Sequence, residues 1–223
     1  MRLFLQGLLS SLLLATQSFA GPAIGPFLED ETPFLSSALL IPGGKNIDPV
    51  RRGILIRLGD DHWACFDTDL LRWAAIWKAP ANKPPITLDS MAAISYPNGK
   101  AKAKSPPSLQ GTLLFSSPTV PGGGPNIPSK GDPRPTLPGD SLKPIGPFPK
   151  ESGRWLGIEL RSKTPVLRYR LADAIIHETI TKNGAEFRRI IQISPHRKNI
   201  RLIPGSFFSH LHEFPLDSPM QIL

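Results

Sequence analysis

The sequence predicts a mainly β fold: an antiparallel β-sandwich-like domain interrupted by a long Pro/Gly-rich loop. Three observations carry this expectation. In the C-terminal third, apolar residues recur at every second position. Short apolar runs are separated by Gly-Asp-Asp or Lys-Asn-Gly, not by long connections. Ser117 to Lys150 is dominated by proline and glycine. Short strands joined by tight turns belong to sandwiches or barrels and not to α/β folds.

Residues 1–20 form the first element. Arg2 precedes a leucine-rich run, Leu3 to Leu14, that ends in Ser18-Phe19-Ala20. A basic start, a short apolar stretch and a small-x-small site predict a secretory signal peptide cut after Ala20. The run is interrupted by Gln6 and Gly7 and is shorter than the roughly 20 residues a spanning helix needs. No membrane span is therefore expected after signal cleavage, and the protein is expected to be exported, periplasmic or extracellular.

Residues 21–116 supply the N-terminal part of the β-rich domain. Gly53 to Leu58 and His62 to Phe66 are apolar runs around Gly59-Asp60-Asp61, which predicts a hairpin. Leu70 to Trp77 fits two templates. As a helix it would use Asp67 or Asp69 as N-cap, with Leu70, Ala74 and Trp77 on one face. As a strand it would put Leu71, Trp73, Ala75 and Trp77 on one face, with the aspartates forming the turn. Strand neighbours favour the second. Residues 117–150 are read as a loop or linker without regular structure, because proline cannot donate to a ladder and Gly122-Gly123-Gly124 has no conformational preference. Pro84-Pro85 and Lys100 to Pro107 are shorter breaks.

Residues 151–223 complete the same domain. Leu167, Tyr169 and Leu171 share one face of a strand while Val166, Arg168 and Arg170 take the other. Ala174 to Thr181 and Ala185 to Ile193 flank Lys182-Asn183-Gly184, and Asn-Gly between such runs is a strong hairpin signal. Trp155 to Leu160 and Asn199 to Ile203 add two short strands.

The net charge is +8. The basic residues are interspersed with Glu159, Asp173, Glu178 and Glu186 and form no stripe interleaved with aromatics, so nucleic acid is not an expected partner. The densest spots, Arg188-Arg189 and His196-Arg197-Lys198, read as strand or turn positions facing water. The charge serves solubility, with an acidic surface or polysaccharide as the alternative. Cys65 is the single cysteine, so no disulfide can form within the chain, and it reads as a small buried residue beside Trp63 and Phe66.

The series RRGILIRLGDDHWACFDTDLLRWAAIW, then ITLDSMAAISYPNGK and GRWLGIELRSKTPVLRYRLADAIIHETI, resembles an uncharacterised β-rich domain. In large exported bacterial proteins that domain lies upstream of haem c modules or sugar-dehydrogenase-like propellers. The likeness runs from about Phe34 to Ile193 and rests on pattern and order, with no catalytic signature. It implies a sandwich-like module in a secreted protein, with exported redox or sugar-processing proteins or a glycan as partners. Haem c attachment needs Cys-x-x-Cys-His, which a chain with one cysteine lacks. Electron transfer or sugar oxidation would fall to another polypeptide, and no cofactor is expected here.

The segment from His62 to Lys78 holds three of the four tryptophans and is the candidate ligand site. Trp63, Trp73 and Trp77 could stack on sugar rings while Asp67, Asp69 and Arg72 bond hydroxyls. The competing account is core, since tryptophans alternating with leucine and alanine bury large apolar areas. Arg72 would then pair with Asp67 or Asp69. Asp60, Asp61, Asp67 and Asp69 lack the spacing of a calcium loop and are explained as turn and cap residues. His210, His212 and Glu213 offer a metal-like spacing without a third ligand that can be named. No nucleotide-binding loop or Gly-x-Ser-x-Gly elbow is present. The expected function is an exported, non-catalytic β-sandwich module that binds or scaffolds. The alternative is a carbohydrate-binding or carbohydrate-active protein using residues 62–78.

Overall fold

The computed structural model describes residues 33–42, 49–81, 83–87, 106–117, 122–124, 134, 146–202 and 212–214. The expected signal peptide, His210, most of 117–150 and most of the 100–107 break lie outside the described residues. The strands are β1 (Phe34–Leu39), β2 (Val50–Gly59), β3 (His62–Asp67), β4 (Arg72–Lys78), β5 (Thr112–Ser116), β6 (Gly123–Gly124), β7 (Gly153–Arg161), β8 (Thr164–Leu171), β9 (Ala174–Asn183), β10 (Glu186–Ile193), β11 (Ile200–Leu202) and β12 (His212–Phe214). Among the described residues there is no helix. One antiparallel sheet runs β1-β2-β3-β4-β5 and a second runs β10-β9-β8-β7, and the two pack as a β-sandwich. A small third sheet has the order β12-β11-β6.

Tight turns set the registers. Asp60 and Asp61 have φ of 46° and 61° between Gly59 and its partner His62. Positive φ at both central positions is what a type I′ hairpin turn requires, and aspartate tolerates it. The β9–β10 hairpin is displaced by one residue from the expected Asn183-Gly184. Asn183 pairs with Glu186, so the loop is Gly184-Ala185 with Gly184 at φ 60°.

The inner core joins both sheets: Ile54, Phe66, Trp73 and Ile76 from the first meet Leu167, Tyr169, Ile176 and Ile191 from the second. A separate cluster of Leu55, Trp63, Cys65, Ala75 and Trp77 lies on the other face of the five-stranded sheet, with Ile86 and Leu109 packed over it. Because β3 and β4 are buried on both faces, they read as a continuous apolar run. That is why Leu70 to Trp77 fitted two templates, and the structure makes it turn followed by strand. One detail of the strand reading is corrected. Cys65 pairs with Ala75 but Phe66 pairs with Trp73, so Ala74 is an extra residue in β4. The bulge reverses the side-chain alternation. Trp73 therefore faces the inner core and Trp77 the opposite one.

Two further expectations are corrected. Arg189 does not face water: register puts it opposite Ile180, on the inner face, with its side chain 8% exposed. Successive residues of a strand point to opposite sides, so Arg188 and Arg189 cannot share the solvent. His196 is also buried. Within 117–150, Gly123 and Gly124 pair with β11, so that stretch does contain a short strand. Gly122 donates its amide to the Leu70 carbonyl at 2.9 Å. A Cβ there would lie 1.9 Å from the Leu71 carbonyl oxygen, so this close approach admits only glycine.

Candidate functional site

The candidate polar side chains of the 62–78 segment, Asp67, Asp69 and Arg72, are each engaged by the fold itself. At the β3–β4 turn, Asp67 Oδ1 accepts the amides of Asp69 at 3.0 Å and Leu70 at 3.3 Å. Asp67 Oδ2 lies 3.3 Å from the Arg72 guanidinium. Arg72 also donates to the Ser117 carbonyl at 3.0 Å and to its hydroxyl at 2.6 Å. Asp69 takes a different cation, accepting from Arg52 at 2.7 Å and 2.6 Å. Burial raises the Asp67 carboxyl above its ordinary pKa and lowers that of Arg72, each opposed by the charge of the other.

The three indoles do not share a surface. Trp63 and Trp77 are directly opposed across β3 and β4 in the outer cluster, and Trp77 Nε1 donates to the Pro85 carbonyl at 3.0 Å. Trp73 lies on the other side of the sheet, packed edge-on against Phe66 at 5.2 Å. Trp63 and Trp73 are each 4% exposed and Trp77 is fully buried, so none presents an open ring face. Cys65 is buried in the outer cluster, and desolvation pushes its thiol pKa far up, away from nucleophile chemistry. Asp60-Asp61 and Asp67-Asp69 sit at opposite ends of β3, roughly 17 Å or more apart by strand rise, so these four do not converge on one ion.

Trp73 leads to a charged group that sequence reasoning missed. Its Nε1 donates to Glu178 Oε1 at 2.5 Å across the sheet interface. Glu178 is fully buried. It also accepts the Tyr169 hydroxyl and the Nε of Arg189, whose NH2 reaches Oε2 at 3.2 Å. Desolvation and the Glu178 charge raise the Tyr169 phenol well above its ordinary pKa, so it stays a neutral donor. The signal was available: Glu178 falls on the inward positions of Ala174, Ile176 and Ile180, where a lone carboxylate demands a partner.

An open cleft of about 520 Å³ lies where the β2–β3 and β9–β10 turns meet, lined by His62, Leu114, Lys182, Gly184, Ala185 and Phe187. Lys182 Nζ bridges the two turns to Asp60 Oδ2 at 2.8 Å, which lowers the Asp60 pKa. The rings of His62 and Phe187 stand 5.7 Å apart, and Leu114 is 39% exposed. The cleft thus offers aromatic and aliphatic surface beside a cation and a carboxylate, the mixture that small-ligand sites use. Sequence reading placed Asp60, His62, Lys182 and Gly184 in separate turns or at the end of segment 62–78 but did not bring them together, because they meet only through the packing of two sheets.

These features define an antiparallel β-sandwich module with a buried ionic cluster between its sheets and an open cleft at one end. The chain belongs to the family described as Domain of unknown function (DUF6797), which matches residues 64–178. That span runs from within β3 to within β9 and so takes in part of each sheet. Neither the curated proteins nor the solved structures contain a match.

Proposed function

We propose that this chain is an exported β-sandwich module that binds or scaffolds without chemistry of its own, as an accessory to redox or sugar-processing proteins. The observation that carries the reading is the structural engagement of the candidate side chains of segment 62–78. Asp67, Asp69, Arg72, Trp73 and Trp77 each have an intramolecular partner that builds the turn or joins the layers. Spent this way, they serve the frame, and binding falls to the surface. Export rests on the basic start, leucine run and Ser18-Phe19-Ala20 of the first twenty residues.

A glycan-binding reading is favoured by a separate observation, the cleft. His62 and Phe187 supply ring surface there, and Lys182, paired with Asp60 at the rim, supplies an ammonium that can bond hydroxyls. The test is an NMR titration of the full chain with neutral oligosaccharides, followed by chromatography of the recovered sugar. The expected result is saturable movement of the His62, Lys182 and Gly184 amides with the sugar recovered intact. Cleaved or oxidised sugar would overturn the non-catalytic reading, and shifts confined to Trp63 and Trp77 would return the site to the 62–78 segment.

A further inference from the structure

The outward face of the four-stranded sheet carries an arrangement that the fold alone does not favour. Register sets Arg154 directly opposite Arg170. Arg168 lies two residues along β8 on the same face, opposite His177. The inward positions of β8 are Leu167, Tyr169 and Leu171, all fully buried, so alternation turns these arginines outward. Glu159 serves Arg161 at 2.8 Å, His177 at 3.5 Å and Arg168 at 4.0 Å. Among the described residues Arg154 and Arg170 have no ion pair, and Arg170 donates only to the Lys150 carbonyl at 2.9 Å. Like charges directly opposed on neighbouring strands are destabilising, unless an anion sits between them.

We propose that this face binds an acidic polysaccharide, with a uronate or sulfate group held between Arg154 and Arg170 and the next on Arg168. Guanidinium groups are planar forks that grip such oxyanions in bidentate fashion. The cations recur at roughly 5 Å across strands and about 7 Å along one, so an extended chain of charged sugars can meet several at once. Single-stranded nucleic acid fits less well, because its binders present aromatic rings for base stacking. Here Trp155, Tyr169 and Phe187 all lie on the inner side of the sheet.

The experiment measures binding of the full chain at low salt to polygalacturonate, dextran sulfate, unmodified dextran and oligothymidylate. The chain is expected to bind one or both acidic polysaccharides and not dextran, with the preferred polymer telling carboxylate from sulfate. R154S/R170S should weaken that binding by about tenfold or more. R51S/K83S, which removes the same charge from exposed positions on the other sheet or its following loop, should change it by no more than about twofold. R154S/R170S should melt no lower than the parent, because a like-charge pair is gone. If it melts lower, Arg154→Ser alone is compared with Arg51→Ser and must lose more. Equal losses in the paired variants, no binding to either polyanion, or tighter binding of oligothymidylate would each overturn the proposal.

Discussion

Replacing Glu178 with leucine tests the role assigned to the buried cluster. The carboxylate is fully buried and the Arg189 side chain is 8% exposed, so the substitution takes from a buried guanidinium the carboxylate it is paired with. Breaking a buried pair in this way costs about 3–5 kcal/mol, against a total stability of about 5–15 kcal/mol for a domain. At 2–4 °C per kcal/mol for a chain of this size, the melting temperature should fall by roughly 6–20 °C. Arg189→Met should cost a similar amount by stranding the carboxylate. The double variant removes both charges of the pair and leaves the Trp73 N–H and Tyr169 O–H without their acceptor, at about 1–3 kcal/mol each. It should therefore be less destabilised than the sum of the single variants by about 2 kcal/mol or more. Urea melts of the full chain with a common m-value measure all three. Single variants within about 1 kcal/mol of the parent, or strict additivity in the double, would refute the cluster as an ionic clamp between the sheets.

The remaining predictions concern the same frame. Trp77→Ala and Trp73→Ala should each destabilise by about 3–5 kcal/mol, and native-like denaturation midpoints would overturn the core assignment of both rings. Burial raises the folded-state pKa of Asp67 above the ordinary carboxylate value, so between the unfolded and folded values the native state holds more protons than the unfolded chain. The resulting stability is present below the unfolded pKa and is lost as pH rises through the folded one. Asp67→Asn should flatten this decline, and an unchanged slope would refute its origin in Asp67. Gly122→Ala should cost about 1–3 kcal/mol, because its methyl group meets the Leu71 carbonyl and the backbone must move apart. A melt within error of the parent would show that the close approach is dispensable.

Much of the sheet structure was legible because it is written locally. The alternation of Leu167, Tyr169 and Leu171 and the turn at Asp60-Asp61 each need only a few consecutive residues. What escaped depends on register or on distant partners. The side to which Trp73 points turns on one bulged residue, Ala74, whose extra place in β4 has no compositional mark. Arg189 looked like a solvent residue because its neighbour Arg188 is one, and only pairing with β9 decides which of the two turns inward. Glu178 lies 105 positions from the indole it accepts. β6 consists of two glycines, so its pairing rests on backbone groups and leaves no side-chain pattern to read. Of the candidate site, the aspartate turn and the Arg72 pairing were legible, but the cleft at the hairpin ends was not.

The span matched by the family is not by itself a closed folding unit. Residues 64–178 begin within β3 and therefore omit β2, whose ladder covers β3 from Gly53 to Gly59. Without it the edge of an apolar strand buried on both faces would be open, and such edges promote aggregation. At the other end the span stops on Glu178 and excludes Arg189 and all of β10. The carboxylate would then sit between the sheets with two neutral donors and no cation, at a cost comparable to that of Arg189→Met. Ile191, Ile200 and Leu202, which fill the inner core, would be missing as well. A fragment of residues 64–178 should therefore show no cooperative urea transition and rapid proteolysis, while one of residues 33–214 folds. A cooperative transition in the shorter fragment would show that β2 and β10 decorate the sandwich instead of completing it.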